Sequence, residues 1–388
     1  MRHLYIHIPF CARRCSYCDF SIAVRKRVPA AEYVDSVRRE IHLLTFGVGA
    51  EWVDPGAAPR GPSPVHPSLD TLYLGGGTPS LLPPDAVAAL LAALRESFSW
   101  ADTVEITLEA NPEDVTADAA RAWRRAGVNR VSLGAQSFDE GVLRWMHRSH
   151  DGIRIGTAMT ALRAAGFDNV SLDLIFAVPA ELGRDWSRDL DQALALRPDH
   201  LSLYGLTVEQ RTPLARWIAR GASAAPDDER YAAEYLLAHE RLRNDGYRFY
   251  EVSNAARDGH RSRHNSAYWA DRPYLGLGPA AHSYDGMARR WNLPAWEQYR
   301  GAVTAGRSPI ASTERLTDEQ RELERVYLGL RTSDGLPLTA SARLRPPVTA
   351  WQRQGWVELR GDHVVCTPEG WLRLDGLVRD LTKPNGAM

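Results

Sequence analysis

Three of the chain's four cysteines stand within eight residues, in Cys11-Ala-Arg-Arg-Cys15-Ser-Tyr-Cys18. Thiolates are soft ligands that suit zinc or an iron–sulfur cluster. A structural zinc site closes with four ligands. Cys366 is remote and His7 belongs to a strand candidate, so no obvious fourth ligand stands nearby. A four-iron cluster held by three thiolates would instead leave one iron open to an outside ligand. Residue types alone leave both metals open.

Other residues suited to chemistry fall at the ends of apolar runs. Gly75-Gly76-Gly77-Thr78-Pro79 closes one run, as a tight turn or as a place where backbone approaches a ligand. Glu109 with Asn111-Pro112, Gln136 and Asp173 each end another. One such residue is readily satisfied within the fold. Four strand ends sharing the habit favour a polar ligand at one mouth. Farther on, His264-Asn265-Ser266-Ala267-Tyr268-Trp269 joins an imidazole to two aromatics. Imidazole ligates haem iron and such rings stack on a macrocycle, although aromatics more often serve a core. His282, in Gly278-Pro279-Ala280-Ala281-His282, is a secondary candidate near the mouth.

The elements that must carry these residues read as an α/β series. Strand candidates are His3–Ile8, Thr71–Leu74, Glu105–Ala110, Arg130–Gln136, Asn169–Phe176 and His200–Leu206. Amphipathic helices lie between them, two ending at Gly127 and Gly166. Six βα steps predict a parallel sheet with right-handed crossovers, closed or open, with its site at the C-terminal strand ends. Asp54–Leu69 carries five prolines and no hydrophobic period, and reads as a surface insertion.

The alternation fails beyond residue 215. Three units are expected: a (βα)6 barrel over 1–215, an extension on the haem or substrate side over 216–310, and a winged-helix-like module over 311–388. In the last, Thr317 and Gln320 form a capping box and Gly361-Asp362 turns a hairpin. Residues 311–388 hold eleven basic and eleven acidic side chains. That balance points to packing rather than to nucleic acid.

At 388 residues, 44% hydrophobic and with a formal net charge of -1, the chain has a globular composition without polyanion character. Four cysteines are too few for a disulfide scaffold. No leader is read at Met1-Arg2-His3, and Ala86–Leu94, the longest helical apolar run, is too short to span a bilayer. A cytoplasmic, reducing setting is expected.

The cysteine spacing after a first strand resembles that of the radical S-adenosylmethionine (SAM) superfamily. This resemblance implies a [4Fe-4S] cluster on Cys11, Cys15 and Cys18 whose open iron chelates SAM. It implies reductive cleavage of SAM to methionine and a 5′-deoxyadenosyl radical, with Tyr17 beside the adenine. The blocks His7–Cys11, Leu74–Ser80, Leu133–Phe138, Asp173–Phe176, Tyr204–Pro213, Tyr250–Asn254 and His264–Trp269 resemble the oxygen-independent coproporphyrinogen III oxidase family along nearly the whole chain. By that resemblance SAM is held by Tyr5, Gly76, Gly77, Thr78, Glu109, Gln136, Arg148, Asp173 and Thr207. Arg148 stands in a less typical version of its block, Met146-His147-Arg148-Ser149-His150.

The decarboxylating branch of that family carries a fourth cysteine where this chain has Phe20. Cys18-Asp19-Phe20 and the His-Asn-x-x-Tyr-Trp block are instead similar to the branch of haem chaperones. This likeness implies haem on His264, with Asn265, Tyr268 and Trp269 beside it. The implied partners are a haem-acceptor protein and an electron donor of flavodoxin or ferredoxin type, with peripheral contact at a membrane acceptor allowed. The other expectations are radical decarboxylation of coproporphyrinogen III and a zinc-stabilised binding protein.

Overall fold

The computed structural model describes residues 1–46, 68–337 and 345–382. The expected insertion at 54–69 lies almost wholly outside the described residues. Among the described residues no helix is long and apolar enough to cross a membrane.

Among the described residues, seventeen strands follow in chain order. They are β1 His3–Ile8, β2 Phe10–Cys11, β3 Ala23–Val24, β4 Leu69–Gly76, β5 Trp100–Ala110 and β6 Arg130–Gln136. Next come β7 Val170–Phe176, β8 His200–Gly205, β9 Arg248–Glu251, β10 Asn254–Ala256, β11 Tyr274–Leu277 and β12 His282–Tyr284. The last are β13 Ala288–Asn292, β14 Ile310–Arg315, β15 Leu336–Pro337, β16 Val357–Arg360 and β17 His363–Cys366.

Twelve strands form one sheet in the order β14-β13-β12-β11-β1-β4-β5-β6-β7-β8-β10-β9. Its centre, β11-β1-β4-β5-β6-β7-β8, is parallel and both flanks are antiparallel. The six expected βα strands are all present, and helices cover their outer face. The stretch 216–310 extends both edges of this same sheet.

Side-chain alternation divides each barrel strand between helix core and lumen. On β1, Leu4, Ile6 and Ile8 are fully buried in the apolar core. The intervening His3, Tyr5 and His7 face inward, where His3 meets Thr71 and Tyr5 stacks on Tyr73. The lumen is therefore lined largely by polar side chains, and the core lies between sheet and helices.

The C-terminal module combines a three-stranded sheet, β15-β17-β16, with the helices Asp318–Arg331, Arg345–Arg353 and Leu374–Thr382. The capping box forms as expected between Thr317 and Gln320. Gly361 takes φ +63° in the hairpin turn, where a left-handed residue suits the strand twist. Cys366 is buried on β17. The Tyr250–Asn254 block has a docking role: Arg331 pairs with the buried Glu251 at 2.7 Å, and Val252 N–H donates to Arg331 O at 3.2 Å.

Candidate functional site

The cysteine loop leaves β2 at the C-terminal end of the barrel strands. Two backbone bonds through one residue tie it down. Ser16 N–H donates to Met146 O at 3.2 Å, and Leu214 N–H donates to Ser16 O at 2.8 Å. Cys11 is buried, while Cys15 and Cys18 are half-buried. Burial raises the Cys11 thiol to about 11 and moves Cys18 the same way.

Donors from the end of β4 and from the loop after the helix Glu140–Trp145 reach two of these sulfurs. Thr78 Oγ1 donates to Cys11 Sγ at 3.5 Å, and Arg148 Nη1 donates to Cys15 Sγ at 3.7 Å. Such donors suit thiolate ligands, whose negative charge they stabilise. Among the described residues no three His, Cys, Asp or Glu side chains are grouped to hold a single metal ion. Three thiolates of one cluster converge on a cage wider than a single zinc ion.

The loop borders a cavity of about 440 Å³. Its lining includes the three cysteines, Tyr17, Gly76, Gly77, Thr78, Glu109, Gln136, Arg148, Asp173 and Thr207. Eight of the nine residues expected at SAM are thus brought together from the C-terminal ends of five strands and one loop, that of Arg148. Tyr5 is the exception. It lies one layer deeper, its hydroxyl 3.1 Å from His7 Nδ1.

Backbone proximity explains the glycines. A Cβ on Gly76 would lie 2.7 Å from the His7 ring, and φ there is +115°. A Cβ on Gly77 would meet Phe10 O at 2.7 Å. Gly76 N–H donates to Glu109 Oε2 at 3.0 Å, and Tyr73 O–H donates to Glu109 Oε1 at 2.9 Å. Burial nevertheless outweighs both donors and raises the Glu109 carboxyl to about 7.

Asp173 is held from below by Ser132, at 3.0 Å to both carboxylate oxygens, and by Ser171 at 3.1 Å. Burial also raises its pKa. One layer deeper, Arg130 is 1% exposed and its Nε and Nη1 have no hydrogen-bond partner among the described residues. Sequence reasoning missed these supports, although Ser171 stands two residues before Asp173, a spacing that marks the same face of the strand. It also missed Glu113, which His150 and Ser149 bind at 3.1 and 2.5 Å. Burial opposes ionisation of Glu113, yet these bonds carry its pKa down to about 2.

The haem candidates lie elsewhere. His264 sits on the helix Arg263–Trp269, which plugs the N-terminal end of the barrel strands, opposite the cavity. Its Nδ1 is 2.7 Å from Thr71 Oγ1 and its Nε2 is 2.8 Å from Tyr268 O–H. Only 1% of His264 is exposed, and burial lowers its pKa to about 3. Both ring nitrogens are engaged, so neither presents a lone pair to haem iron in this arrangement. Asn265 N–H caps onto Ser262, and Trp269 lies under Arg331 at 4.1 Å. The residues expected at haem thus gather at the barrel end away from the cysteine loop. His282 is exposed at the start of β12, its ring stacked on Trp291 at 5.7 Å.

Comparison with known proteins agrees with this architecture. Residues 62–193 match the family described as the radical SAM superfamily, and residues 316–373 match the HemN C-terminal domain. The chain is 37% identical over 382 residues to the heme chaperone HemW of Mycobacterium tuberculosis (strain ATCC 25618 / H37Rv), spanning 97% of this chain and 94% of that protein. It is 35% identical to heme chaperone HemW of Synechocystis sp., over 92% of this chain and 86% of that protein. The solved coproporphyrinogen III oxidase HemN from Escherichia coli shares the fold with a TM-score of 0.78 at 23% identity, covering 97% and 89% of the two chains.

An open (βα)6 barrel with three cysteines at its mouth and a HemN-type C-terminal module defines a radical SAM protein. Within that superfamily, the chain belongs to the HemW family.

Proposed function

We propose that this chain carries haem to an acceptor protein and binds a [4Fe-4S] cluster and SAM in its cavity. The observation that carries this reading is the cysteine loop itself. It offers three thiols to the cavity, and the position after Cys18-Asp19 is Phe20, 59% exposed. A fourth thiol of the decarboxylating type is therefore missing, while the residues suited to SAM are retained.

Cys11, Cys15 and Cys18 would hold the cluster, which when bound supplies an open iron site and a single electron to SAM. Thr78 and Arg148 stabilise negative charge on the sulfurs. Glu109, once ionised, accepts from the SAM ammonium group. Asp173, oriented by Ser132 and Ser171, accepts from the ribose hydroxyls. Gly76 and Gly77 let the backbone approach the ligand. An electron donor of flavodoxin or ferredoxin type and a haem acceptor complete the reading, in a reducing compartment.

Anaerobic reconstitution should leave about four irons per chain, and hemin titrated into that protein should give a shifted Soret band. One zinc per chain, or an unshifted Soret band, would overturn the reading. A decarboxylated porphyrinogen formed in the presence of reductant and SAM would replace it with the oxidase.

A further inference from the structure

We propose that His147 is the residue that ligates haem iron, at the rim of the cavity that the cysteine loop borders. This inference rests on the haem-carrier reading and gives it a site. A histidine that takes haem iron needs a ring nitrogen that is solvent-accessible and free of hydrogen bonds. His264 fails both conditions, His150 and His200 have both ring nitrogens engaged, and the exposed His282 stacks on Trp291 outside the cavity lining. His147 is exposed, lines the cavity and has no side-chain hydrogen bond among the described residues.

Its backbone gives an independent sign. His147 follows the helix Glu140–Trp145 at φ +61°, with its N–H bonded to Arg144 O at 3.0 Å and the next N–H bonded to Leu143 O at 2.8 Å. Glycine is the residue that such a left-handed helix end prefers. Here an imidazole occupies it and is turned outward. Strain kept in an exposed residue at a cavity rim is the pattern expected of a functional group.

The surroundings suit a flat apolar macrocycle with acidic edges. The His147 ring meets Trp217 edge-on at 5.3 Å, and Trp217 lies 5.9 Å from Trp145. Both indoles are only partly buried. Arg13, exposed on the cysteine loop, lines the same cavity and forms no ion pair among the described residues, so it is available to a propionate. These parts are mechanically joined. Ser16 bonds Met146, next to His147, and accepts from Leu214 on the helix Pro213–Ala219 that carries Trp217. Occupation of the rim is thereby coupled to the loop that bears Cys15 and Cys18.

Hemin titration of the reconstituted wild type, His147→Gly and Trp217→Leu tests the assignment. Glycine suits the backbone at this position, so His147→Gly should melt no lower than the wild type. Its hemin affinity should fall at least about tenfold, with loss of the histidine-ligated spectrum and recovery of that spectrum on adding free imidazole. Trp217→Leu should weaken hemin binding while leaving the ligated spectrum in place. Wild-type affinity and spectrum in His147→Gly would overturn this inference and leave the haem-carrier reading standing. A wild-type protein that binds no hemin would overturn both.

Discussion

Arg148 bridges the cysteine loop and the barrel: Nη1 lies 3.7 Å from Cys15 Sγ, while Nη2 donates to Gly134 O at 2.9 Å and to Asn111 Oδ1 at 2.6 Å. One planar group thus fixes the relative position of a thiol and two strand ends. Lysine carries the charge without this fork. Arg148→Lys should therefore bind SAM about tenfold more weakly and lose iron faster under chelator. Equal SAM affinity in a calorimetric titration would show that the fork is dispensable.

The Glu109 carboxyl, raised to about 7 by burial, should set a pH dependence for SAM binding under the proposed reading. Below that pH the group is protonated and loses its charge-assisted bond to an ammonium group. Affinity should rise with pH up to about 7, by up to tenfold per pH unit, and level off above it. Glu109→Gln should bind weakly with a flatter profile. A wild-type profile flat from pH 6 to 8 would contradict this assignment.

Glu40 is a second buried carboxyl, well removed from the cysteine loop in the chain. It accepts from Gly278 N–H at 2.8 Å, Tyr299 O–H at 2.7 Å and Asn292 Nδ2 at 2.6 Å. Burial raises its pKa to about 7, from an ordinary value of 4.5, despite these donors. A raised folded-state pKa stabilises the fold fully below the ordinary value, and that contribution disappears as pH rises through about 7. The melting temperature of wild type relative to Glu40→Gln should therefore fall between pH 4.5 and 7.5. Parallel melting curves across that range would remove Glu40 as the cause.

Gly76→Ala would place a Cβ 2.7 Å from the His7 ring at φ +115°. Strain of about 1–3 kcal/mol is expected, together with loss of SAM binding. Gly156→Ala, in the helix Gly152–Ala164 with its nearest new contact at 3.8 Å, should be neutral or stabilising. Urea unfolding of both variants checks the contrast.

Arg331 and Glu251 join the C-terminal module to the sheet edge at 2.7 Å, with Glu251 wholly buried. Removing the cation leaves a buried carboxylate unpaired, at a cost of about 3–5 kcal/mol. Arg331→Met should speed proteolysis within residues 316–373 before the barrel is cut. Simultaneous loss of both parts would show that they unfold as one unit.

Features set by local spacing were legible in the sequence. Six barrel strands follow from runs of apolar side chains bounded by turn residues, and Thr317 with Gln320 needs only a three-residue offset to cap its helix. Cys11, Cys15 and Cys18 share one loop because eight residues hold them together. Even the gathering of Glu109, Gln136 and Asp173 could be anticipated, since parallel strands bring their C-terminal ends to one face. Tertiary structure decided that His147 reaches open space at the cavity and His264 does not. His264 and His147 are the same residue type, yet Thr71 and Tyr268 close off one and a left-handed turn presents the other. Exposure and lone-pair availability depend on partners distant in the chain, and only the folded packing supplies those partners.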